Sequence, residues 1–232
     1  MKDLKMYVKE SIFSDVEDIV NNDTVLIDAV LKKDYDIRGT YVINKDGAVD
    51  VDGDVYVKNT KLKTLTGGLF RFGKVSGCFD CFDCCNLTTL EDTPEKVGRN
   101  FCCRHCSKLT SLEGAPKKIN IEFDCGDCEN LTSLEGVPEK IGGGFYCNNC
   151  PKLTSLKGAP VKVGGNFSCF ECDGLASLEG APKEVGGSFD CYGCPKLTSL
   201  DGAPEKIGGK LYCHKCKNLQ ITLRNRIKYR IR

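Results

Sequence analysis

The stretch "FYCNNCPKLTSLKGAP", Phe145–Pro160, decides the fold because it does not stand alone. Its Cys147-x-x-Cys150 pair recurs as Cys81/Cys84, Cys103/Cys106, Cys125/Cys128, Cys169/Cys172, Cys191/Cys194 and Cys213/Cys216, always 22 residues apart. Other columns keep the same step. One runs Phe79, Phe101, Phe123, Phe145, Phe167, Phe189 and then Leu211; two more are the leucines that start at Leu87 and Leu90. Pro94, Pro116, Pro138, Pro160, Pro182 and Pro204 each precede a Val or Ile by three residues. Apolar columns at a fixed period of a few tens of residues, too sparse to bury one another within a unit, mark a solenoid whose coils bury each other. The recurring Pro and Gly-Gly punctuate the chain and leave no room for a long helix in a coil.

The unit resembles the leucine-rich repeat, L-x-x-L-x-L-x-x-N/C-x-L. Phe167 and Cys169 match its two strand leucines, Cys172 its Asn/Cys position and Leu175 the leucine that closes the turn. The Leu-x-x-Leu, Ala-Pro-x-x-Val progression is similar to the short, proline-marked repeats of bacterial secreted effectors, lengthened by about two residues. Units such as "LASLEGAPKEVGG" also look like those of leucine-rich repeat proteins of bacteriophages and their hosts. One departure is that the second strand leucine is Cys throughout. The resemblance covers about residues 55–220 and implies that each N-F-x-C is a short parallel strand, stacked at roughly 4.8 Å into a curved sheet on the concave face. The expected class is a mainly β solenoid over 55–220, with a small α+β cap over 1–54 and a basic capping strand over 221–232.

The cysteines admit more than one reading. Eighteen residues separate Cys84 from Cys103, within the range of a zinc ribbon. Seven pairs, however, do not divide into four-ligand sites, and both columns fall where leucine-rich repeats bury small groups. A buried ladder of free thiols, its second member capping turn backbone as Asn does elsewhere, is therefore expected, with no cofactor. Bound zinc or iron–sulfur, and disulfide or redox chemistry, remain the alternatives. Cys78, Cys85 and Cys102 lie outside the ladder columns and are the thiols expected to be exposed.

A net charge of +1 over 232 residues gives no global attraction to nucleic acid or membrane. Charge is uneven: residues 1–58 carry 13 acids against 8 Lys and Arg, whereas 217–232 carry six bases and no acid. No apolar run is long enough to span a bilayer and the start lacks a signal-peptide core, so a cytoplasmic location is expected. Residues 2–33 have helical periodicity, with Ser14 and Asp23 as candidate N-caps. "TYVINKDGAVDVDGDVYV" places two Asp-Gly pairs between β-prone runs, the pattern of a hairpin or meander, and "DVDGD", Asp50–Asp54, reads as an acidic turn rather than a calcium loop. "ITLRNRIKYRIR" alternates with period two and predicts a strand whose basic edge is Arg224, Arg226, Lys228, Arg230 and Arg232.

Framework columns build a repeat, so function is sought in the variable ones. Beside the Phe and Cys columns these give Phe82, Arg104, Asp124, Tyr146, Phe170, Asp190, Tyr192, Tyr212 and His214. Aromatics and Arg contribute disproportionately to protein interfaces. Catalysis finds little support: His105 and His214 are five coils apart, about 24 Å, and no phosphate loop or serine elbow is present. The expectation is a non-catalytic protein that binds an intracellular protein through its concave face, as an inhibitor or decoy of phage type. Nucleic acid or an acidic partner on the basic strip is the alternative.

Overall fold

The computed structural model describes residues 19–229. Helix α1 (Ile19–Asp34) leads into an antiparallel hairpin, β1 (Tyr35–Ile43) and β2 (Ala48–Val57). The chain then winds as a parallel β-solenoid of about eight turns at the 22-residue step. Each coil contributes two short strands. One set is β3 (Arg71–Val75), β5 (Lys96–Val97), β7 (Lys118–Ile119), β9 (Lys140–Ile141), β11 (Lys162–Val163), β13 (Glu184–Val185) and β15 (Lys206–Ile207). The other is β4 (Phe79–Asp80), β6 (Phe101–Cys102), β8 (Phe123–Asp124), β10 (Phe145–Tyr146), β12 (Phe167–Ser168), β14 (Phe189–Asp190) and β16 (Leu211–Tyr212). Both sets stack in register, Phe over Phe and Val over Ile, and β2 joins them by pairing with β3 along its first half and β4 along its second.

The resemblance led to one strand per coil, and the Lys-Val strand is the addition. Glycine after most of these strands lets successive coils approach closely, as where a Cβ on Gly142 would sit 1.9 Å from the Asn120 carbonyl oxygen, although β7 forms before Asn120-Ile121 without one. In each middle coil the Phe, both Cys and both Leu are fully buried, and the Phe rings stack at 5.1–5.9 Å between centroids. Each such Phe or Leu contributes on the order of 1.5–3 kcal/mol of apolar burial, in a core that is continuous rather than divided into units.

The first coil is closed by aromatic packing. Tyr35, Phe70, Phe72 and Phe79 meet edge to face, and the buried Tyr35 hydroxyl donates to the Leu65 carbonyl. Three expectations at the ends are corrected. Asp23 lies inside α1 and caps nothing, while Ser14 is outside the described residues. Asp50–Asp54 is strand rather than turn: β2 runs through it, Val51 and Val55 point inward, and Gly53 lies opposite Gly39, where a Cβ on either would come within about 2 Å of backbone. Only the first Asp-Gly turns the hairpin, with Gly47 at φ 76°.

The third correction concerns the C-terminus. Residues Leu223–Tyr229 form helix α2, not a capping strand. Thr222 and Asn225 make a reciprocal capping box: the Asn225 amide N–H donates to Thr222 Oγ1 and the Thr222 N–H to Asn225 Oδ1, each at 3.2 Å. Two orphan helix donors are satisfied at once, and this local gain outweighs the alternation that favoured a strand. Tyr229 fastens α2 to the last coil by donating to the Pro204 carbonyl at 3.0 Å. Among the described residues no helix is long and apolar enough to cross a membrane.

Candidate functional site

All seventeen cysteines are free thiols. The second of each ladder pair performs the capping expected of it. Cys106, Cys128, Cys150, Cys172, Cys194 and Cys216 each donate Sγ–H to the carbonyl of the first ladder Cys in the preceding coil, at 3.1–3.5 Å. Burial pushes Cys84 and Cys172 up to about 12, and Cys103, Cys125, Cys147 and Cys169 well above the ordinary thiol range. In the last coils Cys216 is drawn down instead, by hydrogen bonds with Cys191 and Cys194. Among the described residues no group of three or more His, Cys, Asp or Glu is arranged to hold a metal. Of the thiols outside the ladder, Cys85 is exposed, whereas Cys78 and Cys102 are half-buried.

The sequence-derived contact residues do line one side of the stack, in two adjacent columns, yet they are not equivalent. The third residue of each Cys-x-x-Cys turn has positive φ, among them His105, Asp127 and Asn149, which rotates its neighbours outward. Arg104 is tied down: Nε and Nη2 both lie 2.6 Å from Asp127 Oδ2, and Asn149 donates to the other Asp127 oxygen at 2.6 Å. Asp124 and Asp190 accept the backbone N–H of Gly126 and Tyr192 at 2.9 Å, so they close turns; burial raises both carboxyls above their ordinary value. Tyr146 lies across Gly144, and Phe170 is half-buried.

Two groups remain free to meet a partner. Phe82, 49% exposed, packs edge-on against His105 at 5.3 Å. In the last two coils Tyr192 and Tyr212 both pack edge-on against His214, at 4.6 and 6.4 Å, with Lys215 Nζ 5.1 Å from the Tyr192 ring centre. The basic strip does not persist as a strip, because in α2 Arg224 and Lys228 share a face that Arg226 leaves; Arg230 and Arg232 are outside the described residues.

One outward column was not singled out from the sequence. Directly before the buried Val/Ile column stand Lys74, Lys96, Lys118, Lys140, Lys162, Glu184 and Lys206, one per coil and in register. All six lysines are exposed. Their signal is the 22-residue step itself, a Lys before the Val or Ile in six coils and a Glu in the remaining one. Comparison with protein families, curated proteins and solved structures finds no match to this chain.

Proposed function

We propose that the chain is a non-catalytic protein-binding solenoid whose partner docks along the outward turn columns and is anchored at Tyr192, Tyr212, His214 and Lys215. The supporting observation is the pre-ordering of that cluster. Its rings already touch one another, and the backbone beneath them is held by the inter-coil ladder. Side chains fixed before encounter lose little freedom on binding, and Tyr combines a large apolar area with a polar tip. The leucine-rich, phage-like character of the repeat suggests the specific form, an inhibitor or decoy that covers a component of a host cell.

The test is quantitative cross-linking and affinity purification from host extract, comparing the native chain with a Tyr192→Ala, Tyr212→Ala, His214→Ala variant. A partner captured by the native chain should be lost with the variant. Equal capture by a variant with unchanged circular dichroism sinks the assignment.

A further inference from the structure

We infer that the lysine column is a second binding surface, for an acidic segment of another polypeptide. Lys74, Lys96, Lys118 and Lys140 stand on adjacent parallel strands, roughly 4.8 Å apart. None of the four pairs with a carboxylate among the described residues. Like charges directly opposite on neighbouring strands destabilise a sheet. The fold does not require them, since the position faces water and takes Glu in β13.

That glutamate shows how the row receives an anion. Glu184 Oε2 lies 2.9 Å from Lys162 Nζ and Glu184 Oε1 2.9 Å from Lys206 Nζ, one oxygen to the coil before and one to the coil after. Hydrogen bonds from Lys206 and Lys162 hold its carboxyl down to about 2. Further along the row the same lysines lack such a carboxylate. The neighbouring column, Glu95, Lys117, Glu139, Val161, Lys183 and Glu205, leaves the two columns with eight lysines against four glutamates. On the other side the row is bordered by small or short residues, Ser76, Gly98, Asn120, Gly142, Gly164, Gly186 and Gly208, which leave room for a partner's main chain.

Carboxylates repeat every ~5.4 Å on one face of a helix and about every 6.8 Å on one face of a strand, both within reach of flexible lysine stems over ~4.8 Å rungs. No aromatic side chain lies in the lysine column or the glycine belt, so bases would find no stacking platform there, and the polypeptide is the better fit. This surface is separate from the aromatic cluster and stands or falls independently of it.

The experiment is fluorescence anisotropy with two probes, a labelled dodecaglutamate and a labelled single-stranded dodecathymidylate, over a salt series. The native chain should bind the glutamate probe, more weakly as salt rises. Lys96→Gln, Lys118→Gln, Lys140→Gln together should weaken it by about tenfold or more, since three close charge pairs are removed. Lys108→Gln, Lys152→Gln, Lys196→Gln, the same charge change in a different column, should cost less than about twofold. Glu184→Gln should tighten binding, because it releases Lys162 and Lys206; the Tyr192→Ala, Tyr212→Ala, His214→Ala variant should bind the probe as the native chain does. Equal losses in the two lysine triples, no binding by the native chain at low salt, or tighter binding of the thymidylate would each overturn the inference.

Discussion

At the residue scale, two buried cysteines in adjacent coils, Cys103 and Cys128, do opposite jobs. Cys128 is a donor: its thiol reaches the Cys103 carbonyl at 3.3 Å, in a core where that oxygen has no access to water. Cys103 is a filler: it is fully buried, and among the described residues its own thiol finds no acceptor. Leaving a buried acceptor unpaired costs about 1–3 kcal/mol, as does burying a hydroxyl without a partner. The substitutions should therefore cross over. Cys128→Ser keeps a donor and should be milder than Cys128→Ala, by on the order of 1 kcal/mol. At Cys103 the order should invert, Ala milder than Ser. Urea midpoints of the four variants, with unchanged slopes, check this; Ala milder than Ser at both sites would mean that the second thiol does no capping. This distinction was legible in the sequence only as two columns of one residue type. Which thiol caps which carbonyl depends on where the neighbouring coils place them, a property of the stack: Cys81, Cys125 and Cys169 of the first column also donate, to the carbonyls of Cys102, Tyr146 and Asp190.

At the element scale, the buried columns of the repeat could be read because each coil repeats the same constraint, although the two-residue Lys-Val strand between them is too short to show an alternation of its own. The ends could not, since each is a single instance in which two local patterns compete. "ITLRNRIKYRIR" alternates like a strand, yet Thr222 and Asn225 stand at capping-box spacing, and the box prevails in a segment whose apolar residues Leu223 and Ile227 find no sheet to pack on and remain exposed. Asp50–Asp54 reads as a turn for a related reason: Gly53 is a turn residue by type, and only Gly39 opposite it lets the strand run through. The lysine column escaped notice because a constant outward column looks, in sequence, like another framework position. The capping argument has a direct check. Thr222→Ala should cost about 1 kcal/mol of helix stability. Because α2 is only seven residues long, that loss should appear as faster amide exchange over Leu223–Tyr229, with protection of the inner coils unchanged. Unchanged exchange in α2 would show that Tyr229 alone holds it.

At the scale of the whole molecule, stacked coils turn a small chemical fact into a large one. Ladder thiols from the first coil to the last are buried, and in Cys81, Cys84, Cys103, Cys125, Cys128, Cys147, Cys150, Cys169, Cys172, Cys191, Cys194 and Cys213 the thiol is held above its ordinary value. A free thiol in an unfolded chain ionises near 8.5. For a group raised on folding, the stabilising contribution is complete below the unfolded value and is lost as pH climbs toward the folded one. Each thiol that ionises only in the unfolded chain removes about 1.4 kcal/mol per pH unit. A dozen together remove on the order of 15 kcal/mol per unit, as much as the whole stability of an ordinary domain. Because each coil contacts only its neighbours, no part of the stack is exempt. The protein should therefore keep its fold between about pH 6 and 8, where only the lowered Cys216 titrates differently in the two states, then unfold cooperatively between roughly pH 9 and 10. Far-ultraviolet circular dichroism in a phosphine reductant, scanned from neutral to pH 11, measures this directly. A spectrum unchanged beyond pH 10.5 would mean that the thiols ionise as readily in the folded stack as outside it, and that the ladder is open to water.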